Sequence, residues 1–272
     1  MNRFGPWWLD QLIAVGGIGE VWRARETPDG PPLALKRMHT HLARNADARA
    51  LFAQETTLAL TLPRHPGVVH ALSAGEVGEL PYLALALAPG EDLRRIVAPP
   101  PTKERATIGA VTLSRPHAAA ILAAACDAVA HLHAQGWVHG DINPGNLVVE
   151  LVPSLEDRVT LVDLGVARRI GEGGTVRGTH AYMAPEQVKG EAWTEATDVF
   201  ALGVVLWELV AGQRLFHRGP PWLSMAAVVE ATPGKLDDPA LDEIARAALV
   251  KDPALRLTSA AELALRLRSV AS

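Results

Sequence analysis

The chain has 272 residues, enough for one large domain or two small lobes with a substantial core and too few for a long modular receptor. Hydrophobic residues at 49% and charged residues at 21% are ordinary globular values, so composition excludes a disordered or fibrous chain. A formal charge of -4 gives no electrostatic reason to bind nucleic acid or an anionic membrane, and neither is expected as a partner.

Residues 1–12 lack a cationic region followed by an apolar one and do not read as a secretion signal. Short apolar runs at 9–15 and 21–25 flank a glycine cluster, and others lie at 32–38, 68–76 and 80–87, a five-strand antiparallel pattern. Residues 45–60 place Phe52, Glu55 and Ala59 at helical spacing, so one helix interrupts this sheet. After Pro89-Gly90 the chain turns helical. A polar segment from Pro99 to about Thr112 reads as a surface loop, then Ser114 and Pro116 open a long helix that stops at Gly136. A small hairpin is expected at 147–151 and 159–162, and further helices at 197–211, ended by Gly212, at 240–250 and at 259–270. Ser259 and Glu262 have the spacing of a capping box. The single cysteine, Cys126, sits among alanines and reads as a small buried thiol. Apolar stretches at 118–130 and 199–212 are interrupted by Asp127 or Glu208 and fall short of the ~20 residues of a membrane span, so a soluble, cytoplasmic protein is expected.

Five lysines stand against 21 arginines, which makes each lysine informative. Gly16, Gly17 and Gly19 lie between two strands, a tight turn or a hairpin lid over phosphates rather than a dinucleotide-binding turn. Lys36 ends an apolar strand, and Glu55 on the helix can pair with it or stand as a solvated charge. The loop from Val138 to Leu147 is polar and turn-rich between a helix and a strand, where a rigid scaffold can position catalytic groups. In it Asp141 can accept a proton from a hydroxyl, and Asn146 offers a carbonyl oxygen to a hard metal ion. Asp163 follows the next strand and precedes Gly165. Magnesium asks for one or two carboxylates plus substrate phosphates, which Asp163 and Asn146 can meet. Taken singly, each of these residues reads as a turn former or cap; their joint order carries the functional reading.

That order of glycine turn, strand lysine, helix glutamate, His-x-Asp-x4-Asn loop and Asp-x-Gly resembles the protein-kinase family from Leu9 to about Val270. Residues 178–186, with Thr179 and the run Ala184-Pro185-Glu186, and residues 198–203 match it downstream, and Arg256 looks like the arginine that pairs with Glu186. Within the family the chain is most similar to bacterial serine/threonine kinases.

The resemblance implies an α+β, two-lobed kinase fold: a small antiparallel-sheet N-lobe with one helix at about 1–88, a hinge at about 86–90, and a larger helical C-lobe at about 91–272, all one kinase domain. It implies ATP and Mg2+ as cofactors and a protein with serine or threonine as substrate. Lys36 would hold the α- and β-phosphates and Glu55 would hold Lys36; Asp163 and Asn146 would bind the metal; Asp141 would orient the acceptor hydroxyl, with Asn143 and Thr179 beside it. Val15, Gly16, Gly17, Gly19, Val21, Ala34 and Leu147 would frame the nucleotide, Ala86 to Ala88 would bond adenine, and Leu85 would guard the back of the pocket.

Four positions depart from the family's pattern. Ala14 replaces the first loop glycine and Leu164 the phenylalanine of Asp-Phe-Gly, both mild exchanges. Gly140 replaces the arginine before the catalytic aspartate, so a phosphorylated loop has no cation there. Asn143 replaces a lysine that neutralises the transferring phosphoryl group, which predicts slow turnover. The His-Gly-Asp-x-x-x-Gly-Asn pattern is similar to kinase-like small-molecule phosphotransferases, the alternative enzymatic reading, and a pseudokinase scaffold is the non-enzymatic one.

Overall fold

A computed structural model describes residues 2–97, 113–152, 157–174 and 177–271. The expected surface loop from Pro99 to about Thr112 lies outside the described residues. The chain divides into two compact units, one running to Ala88 and also taking in Asp163–Gly165, the other made of the rest.

The first unit is an antiparallel sheet of β1 (Asn2–Phe4), β2 (Trp7–Val15), β3 (Gly19–Arg25), β4 (Leu33–Met38), β5 (Ala71–Val77) and β6 (Leu80–Ala86), in the order β1-β2-β3-β4-β6-β5. It has one strand more than the sequence pattern: three residues are too few for alternation to register, and the turn at Gly5-Pro6 folds β1 back onto β2. Phe4 and Trp7 there meet Tyr82 edge-on and close a small core with Leu9, Leu33 and Leu35. The helix α1 (Ala46–Thr61) lies between β4 and β5 in the chain and packs on β5. Asn45 caps it by accepting the Ala48 N–H, and Asp47 in the first turn complements the helix dipole. Phe52, Glu55, Leu58 and Ala59 form its buried face.

The second unit is mainly helical. In chain order it has β7 (Glu91–Asp92), α2 (Leu93–Val97), α3 (Arg115–Ala134), β8 (Trp137–Val138), β9 (Leu147–Glu150), β10 (Arg158–Leu161), β11 (Arg168–Arg169), α4 (Pro185–Lys189), α5 (Glu195–Ala211), α6 (Pro221–Glu230), α7 (Pro239–Ala248) and α8 (Ala260–Ala271). The expected hairpin is β9 with β10, widened by β7 into three strands. Sequence reading did not anticipate β7, β8, β11 and α2, which are too short to show a period, nor α6, whose opening Pro220-Pro221 reads as a turn. Ser114 caps α3 as expected, and Ser259 accepts the Glu262 N–H at the start of α8.

The core of this unit is α3 packed on α8 and α5. By length and composition alone the 20 residues of α3 are enough to cross a membrane, more than the stretch read from sequence, and 61% of its apolar window is buried inside the fold. Helix α5 is apolar all round and buried through Glu208, with a capping box at Thr194 and Thr197 and a glycine stop at Gly212. One acid, Asp198, lies in its buried first turns, and it is there for the site.

Candidate active site

In the first unit the site is an ion triad. Register puts Lys36 between Val21 of β3 and Leu83 of β6. Its Nζ donates to Glu55 Oε1 at 2.6 Å and to Asp163 Oδ1 at 2.7 Å. The Glu55 side chain is 5% exposed and that of Asp163 49%, so the ammonium is clamped from inside by one carboxylate and on the open side by the other. Burial by itself would lower the Lys36 pKa, but the charges of Asp163 and Glu55 outweigh it and hold the ammonium above its ordinary value. Asp163 has φ 63, the one non-glycine residue in the left-handed region among those described, and the Gly165 N–H donates to its Oδ1 at 3.3 Å. Strain of this kind costs ~1–3 kcal/mol and persists where the surroundings fix it, as the Lys36 bond does here.

The glycine turn closes with Gly16 N–H donating to the Gly19 carbonyl at 2.8 Å, and His39 Nε2 lies 2.8 Å from the Gly16 carbonyl, which ties the turn to the end of β4. Val15 at the turn is 65% exposed. No atom would lie within 4 Å of a side chain at Gly17, so the backbone of this turn is open to a ligand. Ala34 and Leu85 face each other across β4 and β6. The Ala86 N–H donates to the His70 carbonyl at 3.0 Å, so of the three hinge residues expected to bond adenine, this donor is already used.

In the second unit the loop of residues 139–146 is suspended from α5. Asp198 accepts the N–H groups of His139 and Gly140, each at 2.8 Å, and contacts His133 Nε2 at 2.8 Å. Burial favours the neutral acid, but His133, His139 and the Gly140 N–H outweigh it, and the Asp198 pKa is lowered. Gln187 of α4 holds the Gly140 carbonyl at 2.9 Å. Asp141 is therefore carried on a fixed backbone, and its carboxylate is aimed by two donors: the Thr179 N–H on Oδ1 at 2.7 Å and Asn146 Nδ2 on Oδ2 at 3.1 Å. Asn146 Nδ2 also reaches the Asp141 carbonyl at 2.8 Å, which turns the amide oxygen of Asn146 away from the aspartate. Leu147 follows, fully buried at the start of β9.

The Asn143 side chain is bonded within its own loop. Its Nδ2 donates to the Asp141 carbonyl at 3.0 Å and its Oδ1 accepts the Gly145 N–H at 2.9 Å, so the side chain is spent on the turn at Pro144–Asn146. Thr179 contacts Asp141 through its backbone N–H.

Gly140 lies at φ 75, and a Cβ there would overlap the six-membered ring of Trp193, which is fully buried. The Arg168 guanidinium lies 4.9 Å over that ring, and Trp193 bonds the loop after β11 through Gly171 N–H at 2.8 Å and the Glu172 carbonyl at 3.0 Å. Farther along, Glu186 and Arg256 form a bidentate buried pair at 2.7 and 2.9 Å, with Thr197 Oγ1 on Glu186 at 3.0 Å. Trp193 and the hanger role of Asp198 were not read from the sequence. A carboxylate at the head of the apolar run Val199–Trp207 was a usable signal for Asp198; nothing local marks Trp193.

The sequence matches the family described as Protein kinase domain over residues 8–265. It is 30% identical over 283 residues to serine/threonine-protein kinase PknJ of Mycobacterium tuberculosis, covering 96% of this chain and 44% of the relative. It is 31% identical over 278 residues to PknB of Mycolicibacterium smegmatis, covering 94% of this chain and 41% of that protein. Against PknA of Mycobacterium tuberculosis it is 32% identical over 268 residues, covering 94% of this chain and 59% of that protein. The chain thus spans about half the length of the curated relatives it matches. A strand lysine clamped by a helix glutamate, a loop that aims one aspartate, and a match over nearly all its length agree: the chain belongs to the protein kinase domain family.

Proposed function

We propose that the protein transfers the γ-phosphate of ATP to a serine or threonine hydroxyl of a protein, with Mg2+ as the metal. The observation that carries this reading is the Lys36–Glu55–Asp163 triad, a buried ammonium held by two carboxylates, one of which stays half exposed. A structural ion pair would need one partner, not two in line toward solvent. Lys36 binds the α- and β-phosphates, and Glu55 keeps its ammonium in place. Asp163 and Asn146 are the residues that would hold Mg2+; a half-exposed carboxylate and an amide oxygen turned outward fit its sparse demand, and the ion would supply charge neutralisation on the phosphates.

Asp141 orients the acceptor hydroxyl and takes its proton, with Thr179 and Asn146 fixing its two oxygens. Phosphoryl transfer depends on positioning and charge stabilisation more than on covalent help, and these groups supply both. Gly17 presents its backbone N–H to phosphate in the turn that Gly16 and Gly19 close, Val15, Val21, Ala34, Leu85 and Leu147 line the base, and Leu87 and Ala88 take the hinge bonds that Ala86 N–H cannot make. The whole chain acts as one kinase domain, N-lobe to about residue 88 and C-lobe from about 91. Asn143 shapes the loop and leaves the lysine's task unfilled, which supports slow turnover.

The test is transfer of label from γ-labelled ATP to a mixed protein substrate, beside an Asp163→Ala control. Label on protein that disappears in the control supports the reading; label only on small hydroxyl metabolites would favour the small-molecule phosphotransferase, and nucleotide binding without transfer would favour a scaffold.

A further inference from the structure

Gly145, between Asn143 and Asn146 in the loop that carries Asp141, has no side chain, and the space a side chain would fill is taken. A Cβ at 145 would overlap Nη2 of Arg94 and lie 2.9 Å from its Cζ, so the guanidinium of this α2 residue packs directly on the loop. The Arg94 side chain is 62% exposed. Its ion-pair contact among the described residues, Nε to Asp92 Oδ1, is 3.8 Å, longer than a hydrogen bond, while Asp92 accepts the Arg95 N–H at 3.1 Å and pairs with Arg95 Nε at 3.1 Å.

A second exposed cation lies on Tyr182. Arg214 lies 5.1 Å over the ring of Tyr182, a residue three beyond Thr179, and its side chain is 44% exposed. The carboxylate beneath it, Glu208, is buried and already accepts the Tyr182 hydroxyl at 2.7 Å and the Leu215 N–H at 2.9 Å, with Arg214 Nε at 3.5 Å. Burial first and Glu208 second push the Tyr182 pKa up, and the positive charges of Arg214 and Arg94 both pull against them. Against them stand one buried carboxylate with its bonds made and one, Asp92, engaged by Arg95.

We infer that Arg94 forms a subsite beside Asp141 for a carboxylate side chain of the protein substrate, close in sequence to the acceptor hydroxyl. This rests on the protein-kinase reading above and adds its substrate class, an acidic sequence. The physical reason is that a peptide whose hydroxyl reaches Asp141 must run over the loop next to it, where the exposed surface is cationic. A planar guanidinium with an open edge takes a carboxylate through two parallel bonds.

The test is steady-state kinetics at saturating ATP on peptides that share one serine or threonine acceptor and carry aspartate, alanine, lysine or phosphoserine within three residues of it. The parent should prefer the aspartate peptide over the lysine peptide by about tenfold in kcat/KM, with the difference in peptide KM, an estimate for a charged hydrogen bond at a half-exposed site. Arg94→Glu should reverse the preference while the KM for ATP stays as in the parent, and Arg94→Lys should keep part of it. Equal use of the aspartate, alanine and lysine peptides by the parent, or equal loss on all of them in Arg94→Glu, overturns the inference and leaves the kinase reading intact. Preference for the phosphoserine peptide alone overturns the carboxylate assignment. A parent that phosphorylates no peptide or protein overturns the kinase reading and this inference with it.

Discussion

Gly140 and Trp193 are complementary: the residue before Asp141 has no side chain, and a buried indole occupies the volume that one would take. The same indole carries Arg168 on its face, and the Trp193 backbone bonds the loop at Gly171 and Glu172. Residues 168–172 are therefore held on Trp193, where the family resemblance implies an arginine paired with a phosphorylated loop in many kinases. Thr175, outside the described residues, is the only hydroxyl residue between Asp163 and Glu186 besides Thr179 and Tyr182. Thr175→Ala should keep most activity, and phosphatase treatment of the parent should leave kcat unchanged. Trp193→Ala should destabilise the fold by ~3–5 kcal/mol, the range for emptying a buried aromatic site, and lower kcat even at temperatures where the protein remains folded. Trp193→Phe should cost far less, because Nε1 has no hydrogen-bond partner to lose. A large loss of kcat in Thr175→Ala would show that a phosphate is needed after all.

The Lys36 clamp predicts a linked loss of nucleotide. ATP with Mg2+ at a hundredfold excess over its Kd should stabilise the parent by ~2.7 kcal/mol, read as a rise in Tm. Lys36→Met should abolish most of that rise. It should also lower the Tm of the free protein, because Glu55 is left buried without its cation. An unchanged ligand-induced shift in Lys36→Met would remove Lys36 from the phosphate site.

At Asn143 the geometry reverses what the sequence pattern suggests. A lysine there would restore the missing charge, and by pattern alone Asn143→Lys gains turnover. In the fold the substitution breaks two bonds that shape the loop under Asp141, each worth ~1 kcal/mol. Asn143→Lys should therefore lower stability by ~1–2 kcal/mol and fail to raise kcat. A faster enzyme with an unchanged melting temperature would show that the turn tolerates the exchange.

Asp198 gives the acid limb of stability. Its folded pKa lies below the ordinary carboxylate value of ~3.9, so its contribution is complete above that pH and is lost as pH falls through the folded value. Asp198→Asn should destabilise by about 3 kcal/mol near neutral pH and flatten the loss of stability in acid, since one strong acceptor for His139, Gly140 and His133 is gone. Denaturant midpoints measured at about pH 7 and pH 3 check both effects.

Much of the site was legible because its residues are unusual where they stand: Lys36 is a scarce lysine on an apolar strand, and the residues of 139–146 are polar in a chain of apolar elements. The long elements were legible for the same reason that they are stable, their apolar runs and the caps at Ser114 and Ser259. What stayed hidden has no local pattern. β1 is three residues long, α6 starts on prolines, and the roles of Trp193 and Arg94 exist only through contacts with glycines 53 and 51 residues away in the chain. The bonds of Asn143 stayed hidden too, because a position in a motif says which loop a residue belongs to, not which way its side chain turns.

The central claim is that Asp141 directs transfer of the ATP γ-phosphate to a protein hydroxyl. Phosphoamino-acid analysis of protein labelled from γ-labelled ATP, in the parent and in Asp141→Asn at matched ATP occupancy, tests it most directly. The account predicts phosphoserine or phosphothreonine from the parent and a loss of at least ~10²-fold in rate in Asp141→Asn, with ATP affinity little changed. No labelled protein from a parent that binds ATP, or equal labelling by the two proteins, would contradict it.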